Sequence, residues 1–166
     1  MLKKPILKPT GYGNCLQGFF KLPEESKHKY KGDPNKIIYR SSWERKFMTY
    51  CCTNSSIIWW TSEYPIQYVS PVDKKYHNYF VDFIICAKRK DINGNTKEQI
   101  ILIEVKPLSQ TQPPKPTLKN RMTKRYINEC KTYAVNRAKW DTIKQICKMK
   151  KWEFVILTEN TFNGFH

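Results

Sequence analysis

The fold is decided by two stretches near the middle of the chain, YFVDFIICA at residues 79–87 and QIILIEVK at residues 99–106. Both are rich in β-branched and aromatic residues, and their connection contains Asn93-Gly94, a pair typical of hairpin turns. The pattern therefore predicts a β-hairpin. Apolar residues occupy both faces of each strand, which indicates a sheet covered on both sides, as in layered α/β proteins.

The flanking segments extend this layered arrangement. Upstream, Ser41 begins a predicted helix, and residues 57–69 form one bent or interrupted strand with Pro65 at an edge or a bulge. Downstream, apolar residues at helical spacing predict a long helix over residues 122–149, followed by a strand at 152–159. A strand, a helix and a strand form a βαβ unit, which should be parallel and right-handed. The predicted order is α, β, β, β, α, β.

The composition describes a basic chain that can build a core. Among 166 residues, 30 are Lys or Arg and 14 are Asp or Glu, so the formal net charge is +16, and 40% are hydrophobic. This composition excludes wholesale disorder. Residues 1–40 carry a net charge of +6, residues 41–106 only +2, and residues 107–166 +8. An acid-bearing centre between basic flanks is typical of a protein that holds a polyanion and acts on it with carboxylates, although a lysine-rich solvated surface gives the same total.

Two further patterns concern the compartment. The apolar stretches are too short to cross a bilayer and no secretory signal is visible, so we expect a protein of a reducing cytoplasm that is neither secreted nor bound to a membrane. The six cysteines form no CxxC pair and no His lies at zinc-finger spacing, which favours buried thiols over disulfides or a zinc site.

The domain organisation follows from local composition. Residues 1–37 are rich in Lys, Gly, Pro and Tyr without a sustained period, which predicts an extended basic arm ordered mainly by what it contacts. Residues 38–166 would form the folded domain, with a Pro-rich loop at 107–120.

Three charged residues interrupt the apolar strands: Asp82, Glu104 and Lys106. Glu104 and Lys106 are two positions apart and share a face, and Asp82 lies opposite Glu104 if the numbers of paired residues sum to 186. A two-residue turn at Asn93-Gly94 would give a sum of 187 instead. We therefore expect an odd-length loop or a bulge between residues 88 and 98.

Carboxylates in such strands need a partner, because burying them unpaired costs several kcal/mol. The partner is either Lys106 or a bound cation. Two oxygen donors beside a lysine suit Mg²⁺, with Mn²⁺ as a substitute, and a metal at this point would offset charge on a scissile phosphate. The alternative is a cross-strand salt bridge at the edge of the sheet.

These residues also carry a resemblance. Glu44 on the first helix, Asp82, and Glu104-Val105-Lys106 resemble the PD-(D/E)XK nuclease superfamily, although Val81 stands where the superfamily name has Pro. The resemblance covers residues 38–158 and implies an α/β fold with a restriction-endonuclease-like αβββαβ core, a mixed central sheet flanked by helices. Four blocks resemble more specifically the head completion nucleases of T-even-type bacteriophages: IYRSSWERKF (38–47), HNYFVDF (77–83), EVKP with its QTQPP tail (104–114) and AVNRAKW (134–140).

The resemblance implies Mg²⁺-dependent cleavage of DNA by Glu44, Asp82, Glu104 and Lys106, with the three carboxylates on the metal. For the phage branch it implies a role in finishing packaged heads so that tails can join, with phage head or portal and neck proteins as partners, no small-molecule cofactor, and a location in the host cytoplasm or the virion. Two alternatives stay open. One is a catalytically silent, DNA-binding head component, and the other is the endonuclease subunit of a transposition system. Glu44 also has an alternative role, since Ser41 and Glu44 have the spacing of a helix capping box.

Further residues are weaker candidates for contact with DNA, and each has an ordinary alternative. Arginines near a helix start are often only solvated, a loop histidine often has no role, and polar residues three apart often mark a solvated helix face. The tryptophans are more typical of a core than of base stacking. The DNA-binding candidates are Arg40, Arg45, His77, Gln110 with its neighbour Gln112, Asn136 and Lys139.

Overall fold

The computed structural model describes residues 17–116 and 122–162. Its helices are α1 (Ser42–Thr53), α2 (Leu108–Thr111), α3 (Lys124–Lys150) and α4 (Glu159–Phe162), and its strands are β1 (Gly18–Phe19), β2 (Ile38–Tyr39), β3 (Ile57–Val69), β4 (Tyr76–Lys90), β5 (Thr96–Val105) and β6 (Glu153–Leu157). A 3₁₀ helix spans Glu24–Lys29. The predicted order α, β, β, β, α, β is confirmed by α1, β3, β4, β5, α3 and β6. None of the described helices combines the length and apolarity that crossing a bilayer requires.

The central sheet is mixed, with the strand order β3-β4-β5-β6. β3, β4 and β5 are antiparallel neighbours, and β6 returns parallel to β5 after the α3 crossover, as predicted. One core cluster, which includes Phe47 and Met48 of α1, covers one face of the sheet, and another, which includes Trp140 and Ile143 of α3, covers the other. The two apolar faces of the strands are therefore buried under helices, as the sequence indicated.

The register of the central hairpin agrees with the prediction. β4 and β5 pair from Lys90↔Thr96 to Phe83↔Ile103, so the numbers of paired residues sum to 186. The connecting loop, residues 91–95, has five residues, and Gly94 adopts a φ of 81° that favours glycine. The odd-length loop is therefore confirmed, and it sets which residues of the two strands meet at the far end.

β4 continues beyond its pairing with β5. Residues 76–81 pair with β3 alone, so the ends of β3 and β4 form a two-stranded ribbon that leaves the sheet. β3 lies at the edge of the four-stranded sheet, which is where Pro65 was expected, because proline cannot donate a ladder hydrogen bond. The point at which the ribbon separates from β5 is where the charged residues of the hairpin lie.

The prediction of an extended arm does not describe residues 17–37. β1 pairs with β2, and Leu22, Tyr30 and Ile37 are buried in the core on the α1 side of the sheet. These buried residues are isolated in the sequence and do not recur with a helix or strand period, so the sequence pattern does not predict their burial. Residues 1–16 lie outside the described residues.

Two other sequence-based expectations are refined by the structure. The Pro-rich loop contains one short helix, α2, and residues 117–120 of that loop lie outside the described residues. Every cysteine within the described ranges has a free thiol, and four of these five side chains are buried. Cys15 lies outside those ranges, so the thiol prediction for it stays a prediction.

Candidate active site

The three charged residues of the hairpin meet where β4 and β5 stop pairing. Asp82 is the first residue of β4 beyond the pair Phe83↔Ile103, and Glu104 is the first residue of β5 beyond it. The Val105 N–H donates a hydrogen bond of 2.7 Å to Asp82 Oδ2, which ties the two strands together. The backbone N–H of Lys106 bonds the carbonyl of Leu157 in β6, so the parallel strand fixes the lysine as well.

An ion pair joins the lysine to both carboxylates. Lys106 Nζ lies 2.7 Å from Glu104 Oε1 and 3.9 Å from Asp82 Oδ2. The Glu104 side chain is only 1% exposed, whereas those of Asp82 and Lys106 are 22% and 25% exposed. A cross-strand salt bridge is therefore present, but it is buried and does not lie on a solvated face.

Glu104 is incompletely satisfied by its neighbours. Its Oε2 is buried and accepts no well-aligned hydrogen bond from the described residues, although the Tyr79 hydroxyl lies against this carboxylate. Burial and the charges of Glu104 and Asp82 raise the pKa of Tyr79, so the phenol stays protonated. A buried carboxylate with an unused oxygen is unfavourable in a purely structural ion pair and is well suited to a ligand for a cation.

Asp82 and Lys106 titrate abnormally because they share this pocket. Burial, followed by the charges of Glu104 and Glu44, raises the pKa of Asp82 well above its usual range, and Lys106 and the Val105 N–H offset this only in part. Burial alone would lower the pKa of Lys106, but Asp82 and Glu104 outweigh it and raise that pKa. The pocket thus holds more negative charge than one ammonium group neutralises.

Glu44 caps α1 and also lies beside Asp82. Its N–H donates to Ser41 Oγ at 3.1 Å, while its carboxylate accepts hydrogen bonds from the Ser41 hydroxyl at 3.1 Å and from the Arg40 N–H at 2.8 Å. This is a capping interaction at the start of α1. Burial raises the pKa of Glu44, and its charge in turn raises the pKa of Asp82. The same carboxylate therefore caps α1 and faces the site.

A cleft of about 280 Å³ opens beside Asp82, and its lining includes Arg40, Glu44 and Glu63. Glu63 was not identified from the sequence. It is 7% exposed, its φ is 56°, and its Oε1 lies 2.7 Å from Arg40 Nη2. A residue other than glycine in this conformation costs on the order of 1–3 kcal/mol and often marks a functional site. A charge within the apolar run 57–69 was the signal that could have revealed it, because the same criterion selected Asp82.

α3 carries two of the weaker candidates, and one of them lies near the site. Asn136 is 6% exposed, and its Nδ2 is buried without a hydrogen-bond partner among the described residues. Lys139 Nζ lies 4.5 Å from the centroid of the Tyr79 ring, and burial lowers its pKa, with a further contribution from Lys106. The charges of Glu104 and Asp82 also act on Lys139, so this lysine lies near the site, whereas Asn136 is a buried residue of α3.

Other DNA-binding candidates lie apart from this cluster. The Arg45 guanidinium lies 5.7 Å from the Tyr39 ring centroid and lines a second cavity, of about 630 Å³, between α1 and residues 19–26. His77 Nε2 is 2.8 Å from Asp73 Oδ2 on the ribbon, and Gln110 and Gln112 are exposed at α2. Trp60 and Trp140 are core residues, as expected.

The site offers few side chains that could bind a metal ion. Within residues 17–116 and 122–162, no group of three or more His, Cys, Asp or Glu side chains is placed to hold a metal. Asp82 and Glu104 alone would be the ligands, and this suits Mg²⁺, which keeps several waters and uses one or two carboxylates together with substrate phosphate. The raised pKa of Asp82, caused by burial and by Glu104, also favours a bound cation, because a positive charge would relieve the repulsion between the two carboxylates.

Comparison with known proteins gave two matches. Residues 54–159 match the family model described as TnsA-like endonuclease N terminal. The chain is 40% identical over 135 residues to the head completion nuclease of Enterobacteria phage T4, a match that covers 80% of this chain and 85% of the relative. No solved structure matched. The family match includes Asp82, Glu104 and Lys106 but begins after Glu44.

Proposed function

The chain belongs to the TnsA-like endonuclease family, and from that membership we propose that it is a Mg²⁺-dependent nuclease that cuts DNA during phage head completion. The buried set of Asp82, Glu104 and Lys106 at the end of the hairpin is the observation that carries the proposal. Endonucleases of this class depend on a divalent metal ion, and their substrate is DNA. Mg²⁺, the role in the head and the catalytic residues are the parts that we propose.

Asp82 and Glu104 would hold the metal ion. Their carboxylates meet at the end of β4 and β5, and one oxygen of Glu104 has no well-aligned donor among the described residues. A bound Mg²⁺ would supply positive charge against the scissile phosphate and favour an activated water molecule. The protein fixes both ligands on strands, which hold side chains more rigidly than loops do.

Lys106 would orient the reacting groups. Its raised pKa keeps Nζ protonated in the arrangement observed, so the ammonium donates hydrogen bonds and does not remove a proton there. From 2.7 Å beside Glu104, it is placed to donate to the attacking water or to the phosphate. Glu44 would add negative charge beside Asp82 while it caps α1.

The net charge of +16 supports DNA as the substrate, because a basic surface attracts a polyanion at long range. Phage head or portal and neck proteins are the proposed protein partners, and their contact surfaces are not identified. Action on packaged DNA in the host cytoplasm or the virion is consistent with the name of the relative.

A plasmid assay tests the proposal. Supercoiled and linear plasmid are incubated with the full chain and Mg²⁺, Mn²⁺ or EDTA. We expect nicked or linear products with either metal, and intact DNA with EDTA or with Glu104→Gln. Binding of DNA without cleavage under all metal conditions would contradict the enzyme and leave a silent, DNA-binding head component.

The role in the head needs a separate measurement. Tail-free heads filled with DNA are incubated with tails and either the wild-type chain or Glu104→Gln, and infectious particles are counted. More particles with the wild type alone would support a nuclease step in head completion. Equal numbers with both proteins would assign the head role to binding and not to cleavage.

A further inference from the structure

The cleft beside Asp82 contains an ion pair that the proposed catalytic group does not use. Arg40 Nη2 lies 2.7 Å from Glu63 Oε1, and both residues line the cleft together with Glu44 and Asp82. We propose that Glu63 is a positioning residue that holds the Arg40 guanidinium ready to bind a DNA phosphate next to the one that is cut. The inference rests on the proposed action on DNA and adds to it a defined phosphate-binding position.

The backbone at Glu63 is unusual for a strand. Its neighbours pair regularly with β4, as Ser62↔Phe83 and Tyr64↔Val81, so Glu63 lies opposite Asp82 in the register. Its φ of 56° reverses the alternation of side chains: the Ser62 hydroxyl lies 3.0 Å from that of Tyr30 in the core on the α1 side, whereas Tyr64 packs with the core on the α3 side. The surrounding structure thus imposes an unfavourable conformation at the residue that faces the catalytic aspartate.

Burial differs sharply between the two partners. The Glu63 side chain is 8% exposed, whereas that of Arg40 is 41% exposed. The carboxylate is therefore the fixed anchor, and the guanidinium is the part that reaches solvent. A guanidinium has five N–H donors in a planar fork, so it can bond Glu63 with one side and a phosphate with another.

The backbone of Arg40 is held as well. Its N–H donates to Glu44 Oε2 at 2.8 Å, immediately before α1 begins. Two carboxylates of the cleft therefore fix the two ends of one arginine, which reduces the conformational entropy lost when a ligand binds. Arg40 is also the basic residue among the described residues that line this cleft, where Glu44, Glu63 and Asp82 would otherwise repel a phosphate.

A purely structural role is the competing explanation. In that case the ion pair only ties β3 to the segment before α1, and its loss lowers the melting temperature without changing the contact with DNA. The chain supplies a matched control. Arg89 Nη1 lies 2.8 Å from Glu153 Oε2, and this ion pair joins β4 to β6. The side chains of Arg89 and Glu153 are 51% and 40% exposed. Arg89→Met removes the same charge at the opposite end of the sheet.

The experiment compares full-length Arg40→Met, Glu63→Gln, the double variant and Arg89→Met. Affinity for a short duplex is measured in EDTA over a range of salt concentrations, and single-turnover cleavage is measured with Mg²⁺. We expect Arg40→Met to weaken binding roughly 10- to 100-fold and to reduce the slope of log K against log salt by about 0.9. Glu63→Gln should have a smaller effect, and none in the Arg40→Met background. Arg89→Met should behave like the wild type.

Each other outcome has a definite meaning. Equal binding by Arg40→Met and Arg89→Met overturns the phosphate contact, and an effect of Glu63→Gln that persists without Arg40 overturns the positioning role. If Arg40→Met is unfolded because Glu63 is left unpaired, the double variant and Arg40→Lys, which keeps the charge but not the fork, decide the question. A wild-type chain that binds but does not cut overturns the proposed cleavage alone, and one that does not bind DNA overturns both proposals.

Discussion

The two ends of the central hairpin carry similar residues in different surroundings. At the turn, Lys88↔Glu98 and Arg89↔Lys97 are cross-strand pairs with exposed side chains. At the other end Asp82, Glu104 and Lys106 also form a charged group, but Glu104 is 1% exposed. Exposed pairs of opposite charge contribute about 0–1 kcal/mol to stability, whereas burial and the neighbouring carboxylates strongly raise the pKa of Asp82 in the buried group.

The difference arises from what covers each end. The turn end has exposed side chains, while at the opposite end α1 supplies Glu44 and α3 supplies Lys139 near Asp82. Water is thereby excluded from one set of charges and admitted to the other. Burial, more than residue type, therefore perturbs the charged residues at one end of these two strands and suits them to chemistry.

The largest expected contrast is in cleavage. Asp82→Asn and Glu104→Gln should each reduce the cleavage rate at least about 100-fold, and the double variant should be little worse, because in the proposed site both carboxylates would serve one metal ion. Glu98→Gln at the turn end should cut DNA at the wild-type rate. Asp82→Asn should not melt lower than the wild type, since it relieves repulsion between buried carboxylates. Rates are measured in single turnover with Mg²⁺, and a wild-type rate in either variant contradicts the metal site.

A smaller effect should separate the two roles of Glu44. Glu44→Gln keeps oxygen and nitrogen atoms that can cap α1, so its melting temperature should stay near that of the wild type, while cleavage should fall roughly tenfold because a negative charge beside Asp82 is lost. Ser41→Ala should behave in the opposite way, with a loss of about 1 kcal/mol of stability and little change in cleavage. A glutamine variant as active as the wild type across a Mg²⁺ titration would leave Glu44 with the capping role alone.

The smallest effect concerns stability and pH in the metal-free protein. Because the folded state raises the pKa of Asp82 above 3.8, the folded chain binds more protons than the unfolded chain as the pH rises through that value. Its ionisation therefore destabilises the fold over the window from about 3.8 up to the raised pKa. The melting temperature of the wild type minus that of Asp82→Asn should be near zero in acid and should become negative toward neutral pH.

Melting curves in EDTA between pH 3.5 and 8 check this expectation. Added Mg²⁺ should raise the melting temperature of the wild type at neutral pH more than that of Asp82→Asn, because the metal binds only the folded site. A flat difference between wild type and Asp82→Asn over the whole range would show that Asp82 is not forced against Glu104.

Much of this site was predictable because strands obey a period of two. Once the hairpin was recognised, one register placed Asp82 beside Glu104, and the five-residue loop has the parity that this register needs. Ser41 and Glu44 were recognisable as a cap from their spacing. The contact of Glu63 with Arg40 was not recognisable from the sequence. It depends on a left-handed φ at Glu63 that reverses the faces of β3, and no period in the sequence signals that reversal.

The sequence by itself determined α1, α3, the four strands of the central sheet, the register of the hairpin and the three charged residues at its end, because these depend on local periodicity and on the parity of one loop. The tertiary structure alone decided that residues 17–37 complete the core, that Glu63 anchors Arg40 in the cleft, and that Lys139 lies near Glu104 and Asp82. Those relations join residues distant along the chain. They are set by how α1, α3 and the ribbon pack around one end of the sheet, and burial of the charges, from which their chemistry follows, exists only once those elements are assembled.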